Sequence, residues 1–470
     1  MPKAHFIGIC GAGMNAVAKL LKDKGWSISG SDKGAYPPIS TYLDNHYISY
    51  HTDYKKENIP SNVDLVVIGK HAKLTKEINE EVREAYKQNL TIQSFPEVLE
   101  ELTKDTNNLV ITGSHGKSTS TALTAWCLEK SNKKPSFLIG AIGTTPNTNA
   151  LIGASNIFVL EGDEYPASNE NNKSKFLYYN PTNILITSLA HDHINIFPTK
   201  ESYIEPFKKL VNLTKNKIII CNKDEDAKQF IKALNKEVIT YSLDQKSDWQ
   251  ATNIKLGEVT TFTLMHKNKA IIELETSLLG KHNIENIVGV SALLLELNLL
   301  TKEELQEGVK TFKPLARRLD QKNTNSLIPI FEGFGSSYSK AKSAIEAILL
   351  HFKDKELITI FEPHTFSWRN QSYIKNYQDV FEGSKEVLIY KPPTHGAETH
   401  DQLNFGEIIK ESKKSNSNIY GFENIKEGEN ILKSLINKNS IILILTSGPM
   451  DGFIEKTIQI AENKFPSLNY

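Results

Sequence analysis

The stretch best equipped for chemistry is Gly113-Ser114-His115-Gly116-Lys117-Ser118-Thr119, which follows an apolar run at 109–112 and precedes a segment with helical spacing through Leu123 and Leu128. In such a strand–loop–helix unit, glycines let backbone N–H groups turn toward phosphate oxygens, and the helix N-terminus adds a positive dipole. Lys117 supplies a neutralising charge and the Ser118 hydroxyl can ligate Mg²⁺, so these seven residues form the predicted ATP-binding loop. Only two residues separate Gly113 from Gly116, fewer than in the usual G-x-x-x-x-G-K-S loop. A tight glycine turn is the alternative.

Two other clusters carry chemistry-bearing spacing. Gly8-Ile9-Cys10-Gly11-Ala12-Gly13-Met14-Asn15-Ala16 contains G-x-G-x-x-A, and Asp32 closes the next strand about 20 residues on, which reads as a dinucleotide site with Asp32 on a ribose hydroxyl. The same glycines also suit a plain strand-to-helix turn. Glu161-Gly162-Asp163-Glu164 ends one apolar run, and Asp192 and His193 end the next. Residues just past neighbouring parallel strands face one crevice, which lets Glu161 and His193 reach a metal held by the phosphate loop. Solvated acidic turns are the alternative.

These loops need elements to aim them. Through the first hundred residues apolar runs at 6–9, 27–30 and 63–68 alternate with a helical pattern at 15–24 that includes Val17, Leu20 and Leu21. A polar stretch, 101–108, then leads into a second series of strands at 109–112, 157–160, 184–187, 217–221 and 262–265. After the polar run within 315–325 a third series follows at 328–331, 357–361, 387–390 and 441–445. Alternation of this kind predicts α/β domains with parallel sheets. At 470 residues the chain exceeds what one core sustains, and the breaks predict domains at 1–105, 106–318 and 319–470.

Composition narrows the function. Lys plus Arg and Asp plus Glu both total 55, so no global field favours nucleic acid or anionic lipid, and anions must be bound locally. Cys10, Cys127 and Cys221 lie far apart without metal-ligand spacing, which fits a reducing compartment. The opening MPKAHFIGICGAGM lacks the pattern of a signal peptide, and no stretch approaches the roughly 20 apolar residues that span a bilayer. The expectation is a soluble cytoplasmic protein with no nucleic-acid or membrane partner.

In this order the elements resemble the Mur ligase family: an α/β protein with three domains, Rossmann-like at the N- and C-termini and a P-loop ATPase in the centre. HFIGICGAGM resembles the family's UDP-binding loop, GSHGKST its phosphate loop and EGDEY its acidic metal motif. Gly280-Lys281-His282-Asn283-Ile284-Glu285-Asn286 is similar to the G-x-H-N-x-x-N segment against ATP, and Ala316-Arg317-Arg318-Leu319-Asp320 to the arginine motif. The resemblance implies Lys117, Glu161, His193 and Arg318 as catalytic residues, with Ser118, Glu161 and His193 on Mg²⁺. It adds His282, Asn283, Asn286 and Arg318 to the ATP site, and puts Gly11, Ala12, Gly13, Met14, Ser31 and Asp32 around a UDP-sugar.

The implied reaction activates the lactyl carboxylate of UDP-N-acetylmuramate as an acyl phosphate and joins it to an amine. Tyr36-Pro37-Pro38-Ile39-Ser40-Thr41, Ser136-Phe137-Leu138-Ile139-Gly140 and KSKFLYYNP resemble the branch that adds L-Ala-γ-D-Glu-meso-diaminopimelate in cell-wall recycling, the first expectation. Addition of L-alanine is the alternative. Phe361-Glu362-Pro363-His364-Thr365-Phe366-Ser367-Trp368-Arg369 resembles the L-alanine branch more, and makes His364 and Arg369 candidates for holding the amine substrate.

Elsewhere the pattern departs from the family. Glu332-Gly333-Phe334-Gly335-Ser336-Ser337-Tyr338 stands where the family reads DDFAHHP or DFAHSP, leaving Ser339 and Lys340 as candidate substitute phosphate ligands. That departure also raises the reading of a catalytically weakened nucleotide-binding relative. Leu189-Ala190-His191-Asp192-His193 has lost one acidic residue, and Phe207 argues against a carbamylated lysine at that register. His395, His400 and Asp401 read as a polar loop rather than a second metal site.

Overall fold

The computed structural model describes residues 1–35, 39–141, 143, 145–191, 196–393 and 402–467. Three sheets organise them. The first is all-parallel, in the order Ser49–His51, Ser27–Ser31, Lys3–Ile7, Leu65–Ile68, Ile92–Gln93. The second is built on the parallel strands Ile239–Tyr241, Ile218–Cys221, Asn183–Ile186, Asn107–Thr112, Ile157–Glu161 and Ser136–Leu138. It gains Ala150–Leu151 at one edge and Trp249–Lys255, Thr260–His266 and Lys269–Thr276 at the other. The third runs Arg318–Gln321, Ile330–Gly333, Ser440–Leu445, Glu356–Phe361, Glu386–Tyr390, Ile419–Phe422, parallel except for its first strand.

Central strands such as IIIC at Ile218–Cys221 and SIILIL at Ser440–Leu445 are buried along their whole length, as expected where helices cover both faces of a parallel sheet. Continuous apolar runs therefore mark them in the sequence. The strands that were not anticipated are short or half-exposed; Lys269–Thr276 carries three charged residues and buries only two of its eight. Its ladder comes from sheet pairing, which the local pattern does not encode.

Contacts divide the chain into two compact units. The first comprises 1–253, 262–275 and 284–312 and contains the first sheet with most of the second; the other comprises 254–261, 276–283 and 313–470. The polar stretch at 101–108 is no loose linker. Thr103 and Asn108 are buried, and the Asn108 amide donates to Thr103 O (2.8 Å) and Asn180 O (3.0 Å), which satisfies the turn between helix Phe95–Leu102 and strand Asn107–Thr112.

Within the second unit a buried histidine clasps two turns. At the end of helix Tyr338–His351, the backbone N–H of Gly280 donates to His351 Nε2 at 2.8 Å, so Nδ1 carries the proton and donates to Gly257 O at 2.7 Å. Gly280, at φ +90°, opens helix Lys281–Glu296 and with it the His282–Asn286 segment. Burial pushes the His351 pKa down, against a smaller opposing effect of the Gly257 carbonyl. A folded-state pKa below the unfolded one favours the fold above the usual histidine range, and that contribution is lost as pH falls through the depressed value. Thermal unfolding between pH 7 and pH 5 should therefore fall more steeply in the wild type than in His351→Gln; parallel curves would show that the clasp carries no linked proton.

Candidate active site

The phosphate loop leaves strand Asn107–Thr112 and enters helix Lys117–Lys130. Its backbone admits only glycine at two points. Gly113 has φ +132° and a Cβ there would lie 2.6 Å from Ser188 N; Gly116 has φ +82° and a Cβ there would lie 2.4 Å from Asn286 Oδ1. Asn286 of the predicted ATP segment thus packs on the phosphate loop. Ser114 N donates to Ser188 O (3.0 Å) and Thr187 Oγ1 donates to Thr112 O (3.0 Å), fixing the loop from the neighbouring strand end. His115 is exposed, Thr119 buried.

Both key side chains already have anionic or carbonyl partners. Lys117 Nζ donates to Gly113 O at 2.6 Å and to Glu164 Oε2 at 3.0 Å, with Glu164 fully buried. Ser118 Oγ donates to Glu161 Oε1 at 2.8 Å, and the other oxygen of Glu161 accepts from Gly140 N at 2.6 Å. The hydroxyl of Ser118 and the carboxylate of Glu161 are hard oxygen donors side by side, which fits Mg²⁺. The third expected ligand, His193, lies outside the described residues with Asp192, as do His395, His400 and Asp401. Tyr36, Pro37 and Pro38 lie outside them as well. Among the described residues no three His, Cys, Asp or Glu side chains cluster as a metal site by themselves.

Across a cavity of about 770 Å³ stands the first glycine loop, with Gly11, Ala12, Gly13 and Met14 in its wall together with Asp32, Lys117 and Glu161. Asp32 holds this loop. One carboxylate oxygen accepts from Cys10 N and the other from Gly34 N, each at 2.9 Å, and Tyr54 OH donates to the latter at 3.3 Å. Both oxygens thus brace the loop and the turn after the strand, where the sequence suggested a ribose contact. Burial and the neighbouring Asp32 push the Cys10 thiol up to about 12, which keeps it an unreactive thiol. The buried hydroxyl of Ser31 donates to Glu81 (2.9 Å) while its carbonyl receives Gly8 N and Ile9 N, so it supports the loop from behind.

The cavity wall carries Lys33, Lys70, Lys73, Lys117 and Lys175 against Asp32, Glu161 and Asp163. In a chain of zero net charge this is a local surplus of positive charge, suited to phosphates. Burial, then the charge of Lys175, holds the Lys70 ammonium below its ordinary range, with Asp163 opposing. Asp163, Glu164, Gly140, Lys70 and Lys175 were not among the predicted site residues. For Glu164 and Asp163 the EGDEY motif was the available signal and for Lys175 the KSKFLYYNP stretch; for Lys70 there was none.

In the second unit the two arginines of the family-like motif separate. Arg317 is tied to Glu332 (3.2 Å) and Ser447 O (3.3 Å), while Arg318 is exposed at the start of strand Arg318–Gln321. Glu332 also binds Lys322 at 2.9 Å. A Cβ on Gly333 or Gly335 would approach Leu445 to 2.9 Å, so the EGFGSSY turn is packed flat against that strand. Lys340 Nζ donates to Ser336 Oγ at 3.2 Å, within this same turn. Asn283 Nδ2 donates to Leu279 O (2.8 Å), and His282 is exposed. His364 lies 3.4 Å from Glu362, and buried Arg369 donates to Pro393 O at 2.9 Å.

A phosphate loop with an adjacent hydroxyl–carboxylate pair, facing a second glycine loop across a cationic cavity, defines an enzyme that brings a nucleoside triphosphate to a second anionic substrate. The family models agree: the Mur ligase family catalytic domain matches residues 3–106 and the Mur ligase middle domain residues 111–294. The chain belongs to the Mur ligase family, whose members are ATP-dependent amide-bond-forming ligases, and has their three-domain α/β architecture.

Among its relatives, the UDP-N-acetylmuramate–L-alanine ligase of Ruthia magnifica is 28% identical over 469 residues, covering 95% of each chain. The structure of the UDP-N-acetylmuramate-alanine ligase from Thermotoga maritima matches 99% of this chain and 100% of that one, with TM-score 0.80 at 20% identity. That of the UDP-N-acetylmuramate:L-alanyl-gamma-D-glutamyl-meso-diaminopimelate ligase from Neisseria meningitides matches 67% of this chain and 100% of that one, with TM-score 0.61 at 26% identity. No helix among the described residues is long and apolar enough to cross a membrane.

A Cβ on Gly140 would stand 2.7 Å from Glu161 Oε1. Gly140→Ala should displace this carboxylate and raise the Mg²⁺ concentration needed for half-maximal ATP turnover; an unchanged Mg²⁺ titration would remove Glu161 from the metal site. Lys117→Ala should slow turnover by ~10²–10³-fold, the scale of one preorganised electrostatic contact, measured as phosphate release at saturating ATP.

Proposed function

We propose that this chain joins the lactyl carboxylate of UDP-N-acetylmuramate to L-alanine in the cytoplasm, at the expense of ATP. The observation that carries the reading is the cationic cavity with the first glycine loop on one wall and Lys117 and Glu161 on another. A UDP-linked acid bound at the glycine loop there faces the phosphate loop, which is the arrangement phosphorylation of a carboxylate needs. The choice of L-alanine rests on the relatives of that name aligned along 95% of the chain.

A carboxylate resists attack by an amine until one oxygen is esterified. The lactyl carboxylate attacks the γ-phosphorus of ATP, ADP leaves, and the acyl phosphate then receives the amine at its carbonyl carbon. The tetrahedral intermediate expels phosphate, and the nitrogen gives up its proton. Lys117 and the backbone N–H groups of 113–119 hold the phosphates, Asn286 holds the phosphate loop in shape, and the family's arginine motif assigns Arg318 to the terminal phosphates. Mg²⁺, held by Ser118, Glu161 and His193, would screen charge on the transferring phosphoryl group. His282 and Asn283 line ATP, and His364 and Arg369 hold the incoming amine. The Arg369 guanidinium also donates to Pro393 O, which fixes its position.

Addition of the tripeptide L-Ala-γ-D-Glu-meso-diaminopimelate is the second reading. It is favoured by the 26% identity to the Neisseria ligase and by the KSKFLYYNP stretch. Phosphate release from ATP with UDP-N-acetylmuramate and Mg²⁺, comparing L-alanine with the tripeptide and weighing the product, decides between them. Turnover with L-alanine alone is expected; turnover with the tripeptide alone would move the chain to the recycling branch. ATP binding without turnover on either would leave a weakened relative, in which EGFGSSY is the altered element.

A further inference from the structure

Lys175, the third residue of KSKFLYYNP, was not among the predicted site residues, yet it lines the cavity. It opens the short helical turn Lys175–Tyr178, and its Nζ lies 2.6 Å from Asp163 Oδ2, two residues along from Glu161. The same ammonium lies 5.3 Å from the centroid of Phe95. Phe95 packs so closely on the first glycine loop that a Cβ on Gly13 would lie 2.7 Å from its ring. Lys175 therefore touches two parts of the cavity, the first glycine loop through Phe95 and the acidic EGDEY turn through Asp163. Lys70, which follows strand Leu65–Ile68 and Gly69, is a second ammonium in this wall and feels the charges of both Lys175 and Asp163. Five ammonium groups line this cavity against the three carboxylates of Asp32, Glu161 and Asp163, which leaves positive charge over for a further anion.

We propose that Lys175 and Lys70 form the subsite for the reacting carboxylate of the UDP-linked substrate, holding it between the first glycine loop and Lys117. This rests on the functional reading above. The glycine loop and its N–H groups are occupied by the diphosphate, and the Lys117 loop is occupied by ATP. The substrate's carboxylate has to reach from one to the other, across the stretch of wall where Lys175 stands. A carboxylate there exchanges water for charge-assisted hydrogen bonds from the two ammonium groups, taking over part of what Asp163 now provides to Lys175. The same contacts hold an acyl oxygen while phosphate is added and, later, expelled. The two lysines are thus binding residues for the carboxylate of the acid substrate.

The test compares two ligands that differ in the lactyl carboxylate. UDP-N-acetylmuramate carries it, UDP-N-acetylglucosamine does not, and calorimetric titration gives both affinities, alongside that for ADP. In Lys175→Met the affinity for UDP-N-acetylmuramate should fall about tenfold or more, the scale of a hydrogen bond to a charged group, while UDP-N-acetylglucosamine and ADP bind within about twofold of wild type. Lys175→Arg should recover most of the loss. Lys70→Met, on a separate element, should show the same selective loss and keeps the test open where Lys175→Met is unstable. Equal weakening of both UDP-sugars would mean that Lys175 only supports the loop through Phe95, and would overturn the inference, as would no weakening of either. A wild type that binds neither sugar would overturn the functional reading itself, and this subsite with it.

Discussion

The pairing of Lys117 with buried Glu164 is the contact on which the phosphate loop depends. A loop built to attract triphosphate gathers positive charge and N–H groups in one place, and without the nucleotide that arrangement needs an internal counter-charge. Glu164 provides it from within the protein, and Gly113 O takes another N–H of the same ammonium. Removing the lysine would strand a fully buried carboxylate, so binding and folding are joined at this point. Glu161 is held likewise between Ser118 and the N–H of Gly140. Both acids lie at the end of strand Ile157–Glu161 or just beyond, the position at which a parallel sheet delivers its loops to a common crevice.

The two glycine loops are both held by close neighbours, and the first has a carboxylate brace in addition. In the phosphate loop the close approach of Ser188 and Asn286 excludes any side chain at Gly113 and Gly116. In the first loop a side-chain carboxylate does the shaping, since Asp32 receives N–H groups from both flanking segments. Behind it, Ser31 and His5 both contact buried Glu81, at 2.9 and 2.6 Å, fixing the strand ends that carry the loop. The G-x-G-x-x-A spacing predicts a turn and a nearby acid, and Asp32 braces that turn while lining the cavity.

The third sheet explains the altered EGFGSSY segment. Leu445 fills the space that side chains at Gly333 and Gly335 would need, and Glu332 is taken up by Arg317 and Lys322. The turn is consolidated by its own contacts, with Trp368 Nε1 donating to Gly335 O at 2.7 Å. A segment tied down in this way contributes shape to its unit. Lys340, also drawn to Ser336, belongs to the same local network.

Sequence alone determined the α/β class, the buried parallel strands and the phosphate loop, because continuous apolar runs and glycine–lysine–serine spacing report local physics directly. It also singled out Glu161, Asn286 and the first glycine loop, and in the structure Glu161 and that loop line one cavity while Asn286 packs on Gly116. What only the tertiary structure decided was which groups face one another. Short half-exposed strands such as Lys269–Thr276 form because neighbours offer a ladder, and the polar 101–108 stretch is packed because Asn108 finds carbonyls far along the chain. The partners of Asp32 and Ser31 become visible only in the tertiary structure, and so does the cavity that Lys70 and Lys175 share. A lone lysine has no periodicity or motif to mark it. Its chemistry comes from the charges brought beside it, which are set by the fold.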